Sequence, residues 1–203
     1  MNPFADLSDE ELVWRCQETL PDDTRAFEIL VRRHSDQVFA IAYRMLGDAQ
    51  EAEDQSQEVF VKIYRSFNRF RGDAAFSTWL YRITVNTCLD TLSKRKRRLQ
   101  QVDVDLAEVE EIRPPQAGQK GERSPEQALL QHELVECIQD ALMGLRDKER
   151  MILTLRDVEE MEYQTIADVL SIGMSAVKMR IHRARLAFRQ VFARICKEFL
   201  PTS

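Results

Sequence analysis

Aromatic and basic residues are interleaved in one stretch of the chain, between positions 65 and 98. The aromatic residues are Phe67, Phe70, Phe76, Trp79 and Tyr81, and the arginines among them are Arg65, Arg69, Arg71 and Arg82. A basic run follows at positions 94–98. An aromatic ring can stack on an unpaired base while a neighbouring cation binds the phosphate, and surfaces for single-stranded nucleic acid combine the two. The alternative is that the rings form a hydrophobic core and the basic side chains are solvated outside it.

A second candidate is polar and acidic. Asp54, Gln57 and Glu58 are spaced i, i+3, i+4, which places them on one face of a helix predicted from Asp48 to about Phe67. Such a cluster is either a solvated face, a docking patch for a basic partner or a carboxylate metal site. No histidine or second acidic helix joins it, so we expect neither a metal nor a nuclease centre built on Glu51, Asp54 and Glu58.

The third candidate is a helical pair near the C-terminus. A short helix is predicted over residues 162–170, a tight turn over 171–174, and a long basic helix from Ser175. This matches helix-turn-helix geometry, in which the second helix enters the major groove of DNA. The residues in position to reach base edges or phosphates are Lys178, Met179, Arg180, His182 and Arg183. The alternative is a basic surface helix in an ordinary helical bundle.

The elements that carry these residues are all predicted to be helices. The predicted helices cover about Asp9–Glu18, Thr24–Gly47, Asp48–Phe67, Ala75–Lys96, Ser124–Gly144, a segment from Asp147, and the helix-turn-helix pair. Between them, residues 99–123 are acidic and contain Pro114-Pro115, which favours a flexible linker. We therefore predict an all-α protein with two helical domains, at 1–98 and 124–203, joined by that linker.

Composition narrows the class of protein. Of 203 residues, 44% are hydrophobic and 31% charged, with few Gly or Pro, as in mainly helical globular proteins. The net charge of −5 is unevenly distributed and so does not exclude nucleic acid. No apolar run reaches the roughly 20 residues of a membrane span, and we expect a cytoplasmic protein without cofactor. The widely spaced cysteines Cys16, Cys88, Cys137 and Cys196 are expected to be buried free thiols.

In this order the motifs resemble one family, the bacterial RNA polymerase sigma factors of the extracytoplasmic-function (ECF) type. The resemblance covers about residues 9–98 and 124–192. The stretches that carry it are AFEILVRRH, DAQEAEDQSQEVFVKIYRSF, FRGDAAFSTWLYRITVNTCLD and YQTIADVLSIGMSAVKMRIHRARLAF. Where the family typically has Gly-Thr and a small polar residue in the recognition helix, this chain has Ser175-Ala176 and Met179. Glu162 likewise stands where the family has a serine that caps the first helix of the motif. Because of these differences, the minus-thirty-five DNA sequence that this chain would recognise does not follow from the resemblance.

The resemblance implies a promoter-specific initiation factor that is not itself an enzyme. It implies that Asp54, Gln57 and Glu58 dock on the beta-prime clamp helices of core RNA polymerase. It implies that the minus-ten promoter element is bound by Phe70, Trp79, Arg82 and Asn86. It also implies that the minus-thirty-five element is bound by Lys178, Met179, Arg180, His182 and Arg183. The implied partners are core polymerase, including its beta flap, duplex and single-stranded promoter DNA, and an anti-sigma factor that controls a stress response. A stand-alone helix-turn-helix regulator is the alternative, but it leaves the aromatic stretch and the acidic cluster without a role.

Overall fold

A computed structural model describes residue 4, residues 6–101 and residues 125–199 of the chain. Most of the predicted linker lies outside the described residues. Its first three positions, 99–101, continue the preceding helix instead. None of the helices described there is both long and apolar enough to cross a membrane.

The described part of the chain contains helices and turns but no strand, which confirms the all-α prediction. The N-terminal domain has α1 (Asp9–Thr19), α2 (Arg25–Leu46), α3 (Ala49–Ser66), a 3-10 turn (Phe67–Arg69) and α4 (Phe76–Gln101). The C-terminal domain has α5 (Pro125–Met143), α6 (Asp147–Leu153) with a π-helical extension (Thr154–Val158), α7 (Tyr163–Leu170), α8 (Met174–Ile195) and a 3-10 turn (Lys197–Phe199).

Local signals fix the ends of the N-terminal helices. The Ser8 side chain accepts a hydrogen bond from the Glu11 backbone N–H, and the Glu11 carboxylate accepts one from the Ser8 N–H, which completes a capping box at the start of α1. Gly47 ends α2 with a φ of 77°, a left-handed conformation that glycine adopts without strain. Asp48 then caps α3 by accepting from the Glu51 N–H at 2.6 Å. These short connections fix the direction in which α3 leaves α2.

Helix α2 lies at the centre of the N-terminal domain and packs against α1, α3 and α4. Most of its apolar face is buried, together with many of the facing residues of its neighbours. The buried set includes Leu12, Leu30, Ile41, Met45, Val59, Ile63, Leu80 and Val85. Burying side chains of this size stabilises the fold by roughly 1.5–3 kcal/mol each. The core therefore holds α3 and α4 in a fixed relation, with their outer faces free for other roles.

The two domains pack against each other. Glu159 of the C-terminal domain accepts hydrogen bonds from Arg44 (2.7 Å) and Gln37 (3.1 Å) of α2. The Tyr81 hydroxyl of α4 donates to the same Gln37. Besides these hydrogen bonds, the buried apolar residues of both domains form one continuous cluster. The domains are thus separate along the sequence but share an interface in space.

The cysteines fall into two classes. Cys16 and Cys88 are buried free thiols, as predicted. Desolvation by burial raises the pKa of each to about 12, which makes them poor nucleophiles. Cys137 and Cys196, however, form a disulfide with their Cα atoms 5.9 Å apart. For this pair the expectation of free thiols was wrong, because sequence spacing gives no signal for two cysteines that only tertiary packing brings together.

Candidate nucleic-acid interface

The aromatic stretch divides into buried and accessible rings. Phe67, Phe76 and Tyr81 are at most 8% exposed and belong to the core. Phe70 and Trp79 are only partly buried, and their ring centroids lie 4.9 Å apart. The core interpretation therefore holds for Phe67, Phe76 and Tyr81, whereas Phe70 and Trp79 remain accessible to a ligand. The buried rings support the accessible pair, since Phe76 contacts both Phe70 and Trp79 at centroid distances of 6.3 and 6.1 Å.

Phe70 and Trp79 line a cleft of about 220 Å³ on the N-terminal domain, which we call the strand cleft. Its lining residues are Arg69, Phe70, Arg71, Asp73, Ala74, Thr78, Trp79 and Arg82. Two aromatic rings and three arginines thus converge on one concave surface, where base stacking and phosphate binding can occur together. Asn86 is exposed one turn further along α4 and does not line the cleft. Of the four residues predicted for minus-ten binding, the structure brings three together there.

Arg82 joins the strand cleft to the domain interface. Its Nη2 donates a hydrogen bond to the backbone carbonyl of Asp168, at the end of α7 in the C-terminal domain. Its Nε is buried and has no hydrogen-bond acceptor among the described residues. A buried guanidinium N–H without an acceptor is costly, commonly by about 1–3 kcal/mol. Arg82 therefore retains an unsatisfied donor, which an acceptor could reach only if the surrounding contacts opened.

Gln17, to which no sequence pattern pointed, positions the loop that carries Phe70. Its side-chain amide donates to the backbone carbonyls of Phe67 (3.2 Å) and Phe70 (2.7 Å). The 3-10 turn adds a hydrogen bond from the Phe70 N–H to the Phe67 carbonyl. Gln17 lies 53 residues before Phe70, so no local pattern could have indicated this contact.

The acidic cluster of α3 lies on the outside of the N-terminal domain. Asp54, Gln57 and Glu58 are all exposed, and they lie on α3 at the spacing that places them on one face. Nearby contacts are weak: the Gln50 amide lies 3.5 Å from Asp54 Oδ1, and Lys62 Nζ lies 3.9 Å from Glu58 Oε1. The described part of the chain contains no group of acidic, histidine or cysteine side chains that could hold a metal ion. The cluster is a solvated acidic patch that a basic or hydrogen-bonding partner can reach.

The C-terminal pair has the predicted helix-turn-helix arrangement. Helix α7 ends at Leu170 and is capped by Ser171, which adopts a left-handed conformation with a φ of 52°, and α8 begins at Met174. Val177, Ile181 and Ala184 bury one face of α8 against the domain. The opposite face is exposed and holds every residue predicted for minus-thirty-five binding: Lys178, Met179, Arg180, His182 and Arg183.

Further contacts brace the recognition helix. Arg185 of α8 pairs with Asp157, with its Nε 3.0 Å from the carboxylate. The Arg156 guanidinium lies over the Tyr163 ring at 4.8 Å, at the start of α7. Glu162 at the N-cap of α7 makes no side-chain capping bond, so this end of the helix lacks the stabilisation that serine would supply. The motif is held by packing and ion pairs rather than by that cap.

Two family models match the chain. Residues 30–98 match Sigma-70 region 2, and residues 135–188 match Sigma-70, region 4. The RNA polymerase sigma-H factor of Pseudomonas aeruginosa is 38% identical over 190 residues, which cover 94% of this chain and 96% of that protein. The ECF RNA polymerase sigma-E factor of Escherichia coli is 37% identical over 181 residues, or 89% of this chain and 92% of that protein.

A solved structure has the same fold. It is the sigma factor RpoE from Bartonella quintana, crystallised with the anti-sigma factor NepR. The match has a TM-score of 0.65 at 21% sequence identity, and it covers 82% of this chain and 96% of that one.

Proposed function

Because the chain belongs to the ECF group of the sigma-70 family, we propose that it directs core RNA polymerase to promoters through two DNA contacts. The N-terminal domain captures the melted minus-ten strand, and the C-terminal domain reads the minus-thirty-five duplex. The single observation that carries the proposal is the strand cleft, where accessible rings and arginines converge on the N-terminal domain, while the helix-turn-helix belongs to the C-terminal domain. The protein acts in the cytoplasm as a binding factor without catalytic activity of its own.

Strand capture is assigned to the strand cleft and to Asn86. Phe70 and Trp79 stack on an extruded base, while Arg82 contacts the backbone of the strand. Extrusion costs a few kcal/mol, which these contacts offset. Asn86 lies on α4 one turn beyond Arg82, where its exposed amide can hydrogen-bond a base edge outside the cleft.

Duplex recognition is assigned to the exposed face of α8. Lys178, Arg180 and Arg183 supply positive charge for phosphates or guanine edges, and His182 adds a hydrogen-bonding group. Met179, 57% exposed at this face, offers apolar contact suited to a thymine methyl group. An exposed methionine at this position favours a thymine in the minus-thirty-five element over a base that needs a hydrogen bond.

Polymerase docking is assigned to the exposed α3 cluster of Asp54, Gln57 and Glu58, which would meet the beta-prime clamp helices. The beta flap would meet the C-terminal domain. The domain interface gives this docking a consequence, because Arg82 is bound to the carbonyl of Asp168 when the domains are together. Binding to polymerase would separate the domains and free Arg82 for DNA. An anti-sigma factor would act in the opposite direction, by keeping the docking surfaces covered until a stress signal arrives.

Transcription in vitro tests the proposal. Purified protein is added to core polymerase with a library of promoter fragments, and the transcripts are sequenced. We expect transcripts that start downstream of a shared two-part element. The protein with Asp54→Ala and Glu58→Ala should give fewer transcripts because it binds core polymerase more weakly, while its circular dichroism stays unchanged. Absence of promoter-specific transcripts with the unaltered protein would overturn the proposal.

A further inference from the structure

A second cleft of about 200 Å³ adjoins the strand cleft, and we call it the α1 cleft. Its lining residues are Glu10, Val13, Trp14, Gln17, Phe70, Arg71 and Gly72. Phe70 and Arg71 line both clefts. Because they share two lining residues, the clefts are close enough for adjacent nucleotides of one strand to reach both.

Trp14 is the distinctive residue of this cleft. Its side chain is 52% exposed, although α1 is anchored in the core by Leu12, Val13 and Cys16, which are at most 5% exposed. The Arg15 guanidinium lies 5.3 Å from the centroid of the Trp14 ring. An accessible indole beside an arginine reproduces, on α1, the pairing of ring and cation that the strand cleft shows on α4.

Gln17 fixes the position of one cleft relative to the other. This residue lines the α1 cleft, and its amide donates to the carbonyls of Phe67 and Phe70. Helix α1 is thereby attached directly to the loop whose ring both clefts share. Trp14 lies one turn before Gln17 on the same helix, so its position relative to Phe70 is fixed by a short, hydrogen-bonded path.

We infer that the α1 cleft binds the nucleobase next to the one held in the strand cleft. The inference rests on the proposed function. Trp14 stacks on this second base, and Arg71 contacts the phosphate between the two nucleotides. Glu10 at the rim can accept a hydrogen bond from an exocyclic amino group, which cytosine, adenine and guanine have and thymine lacks. The α1 cleft therefore prefers a base with an amino group, such as cytosine or adenine, to thymine.

Abasic substitution along the non-template strand tests the inference. Complexes of the full-length protein with core polymerase bind single-stranded oligonucleotides that carry one abasic position at a time. The unaltered protein should show two adjacent sensitive positions. Trp79→Ala, in the strand cleft alone, should abolish the sensitivity at one of them. Trp14→Ala, in the α1 cleft alone, should abolish it at the other and weaken binding of the intact strand about tenfold, as loss of one stacked base does.

Matched variants separate stacking from unfolding and from nonspecific loss of apolar surface. Trp14→Phe keeps an aromatic ring and should retain most of the sensitivity. Val135→Ala removes another exposed apolar side chain, 61% exposed on α5, and should change nothing. Glu10→Gln should reduce the preference for cytosine or adenine over thymine at the second position.

The outcomes distinguish this inference from the proposed function. If Trp14→Ala keeps both sensitive positions while Trp79→Ala loses one, the second base site is wrong and strand capture stands. If neither variant alters the pattern, strand capture at these clefts is wrong as well. If Trp14→Ala weakens binding to core polymerase in the absence of DNA, the ring contacts the polymerase and the inference is overturned.

Discussion

The two candidate DNA surfaces differ in how freely they can be reached. The recognition face of α8 is convex, and its five proposed contact residues are all exposed. The strand cleft is concave and is built over buried rings, and its Arg82 is already bound to the C-terminal domain. Under the proposed function, the α8 surface is ready to bind duplex DNA in the free protein, whereas Arg82 can contact a melted strand fully only when its bond to the C-terminal domain opens. A factor of this kind would bind melted DNA fully only after docking on polymerase.

The largest expected effect concerns the stability of the C-terminal domain, which carries the proposed duplex-binding helix α8. The disulfide between Cys137 and Cys196 closes a loop of about 59 residues and ties α5 to the end of α8. For such a loop the chain-entropy model gives a stabilisation of about 4 kcal/mol. We expect Cys137→Ser to lower the melting temperature of the C-terminal domain by 10 °C or more, measured by calorimetry. Adding a reductant should lower the melting temperature of the unaltered protein but not that of the variant. If the reductant lowers both melting temperatures equally, the disulfide is not what stabilises this domain.

The next effect should be confined to melted DNA. Phe70→Ala removes a ring shared by both clefts, and base stacking of this kind contributes about 1–3 kcal/mol. We expect binding of the polymerase complex to a premelted minus-ten template to weaken about thirtyfold. Binding to a minus-thirty-five duplex should not change. A similar loss on both templates would mean that the two surfaces are not independent.

A change on the exposed face of α8 should, conversely, weaken binding to duplex DNA only. Arg183→Ala removes one guanidinium from the exposed face of α8, and an arginine contact to a base is worth about 1–3 kcal/mol. We expect minus-thirty-five binding to fall about tenfold, with premelted DNA bound as before, in a fluorescence anisotropy titration. Arg194→Ala, at an exposed arginine near the other end of α8, serves as the control. An equal loss from Arg194→Ala would indicate general electrostatic attraction rather than recognition.

The smallest effect should come from the domain interface itself. Glu159→Gln removes the charge that Arg44 binds at 2.7 Å, an interaction worth about 1 kcal/mol at a partly exposed site. We expect the radius of gyration of the free protein, measured by small-angle scattering, to increase. Free protein should also bind single-stranded minus-ten DNA several-fold more tightly. If the domains stay together and the affinity is unchanged, Arg82 is not controlled by this interface.

Prediction from the sequence succeeded where the determinants are local. The predicted ranges of the first three helices agree with the structure to within a few residues, because the Ser8–Glu11 capping box, the Gly47 terminus and the Asp48 cap that end them each involve residues within a few positions. The faces of α3 and α8 followed from the 3.6-residue period. The aromatic stretch was harder, because a ring in the core and a ring in a cleft have the same sequence pattern. Only the packing around Phe76 separates Phe70 and Trp79 from the buried rings.

The sequence by itself determined the helices, their exposed faces and, through the order of its motifs, the family. Tertiary structure alone decided that Gln17 holds the Phe70 loop, that Cys137 meets Cys196, and that Glu159 joins the domains. The physical reason is separation along the chain. A helix is specified by neighbours three or four residues apart, whereas these contacts span 53 to 115 residues and form only when whole helices pack.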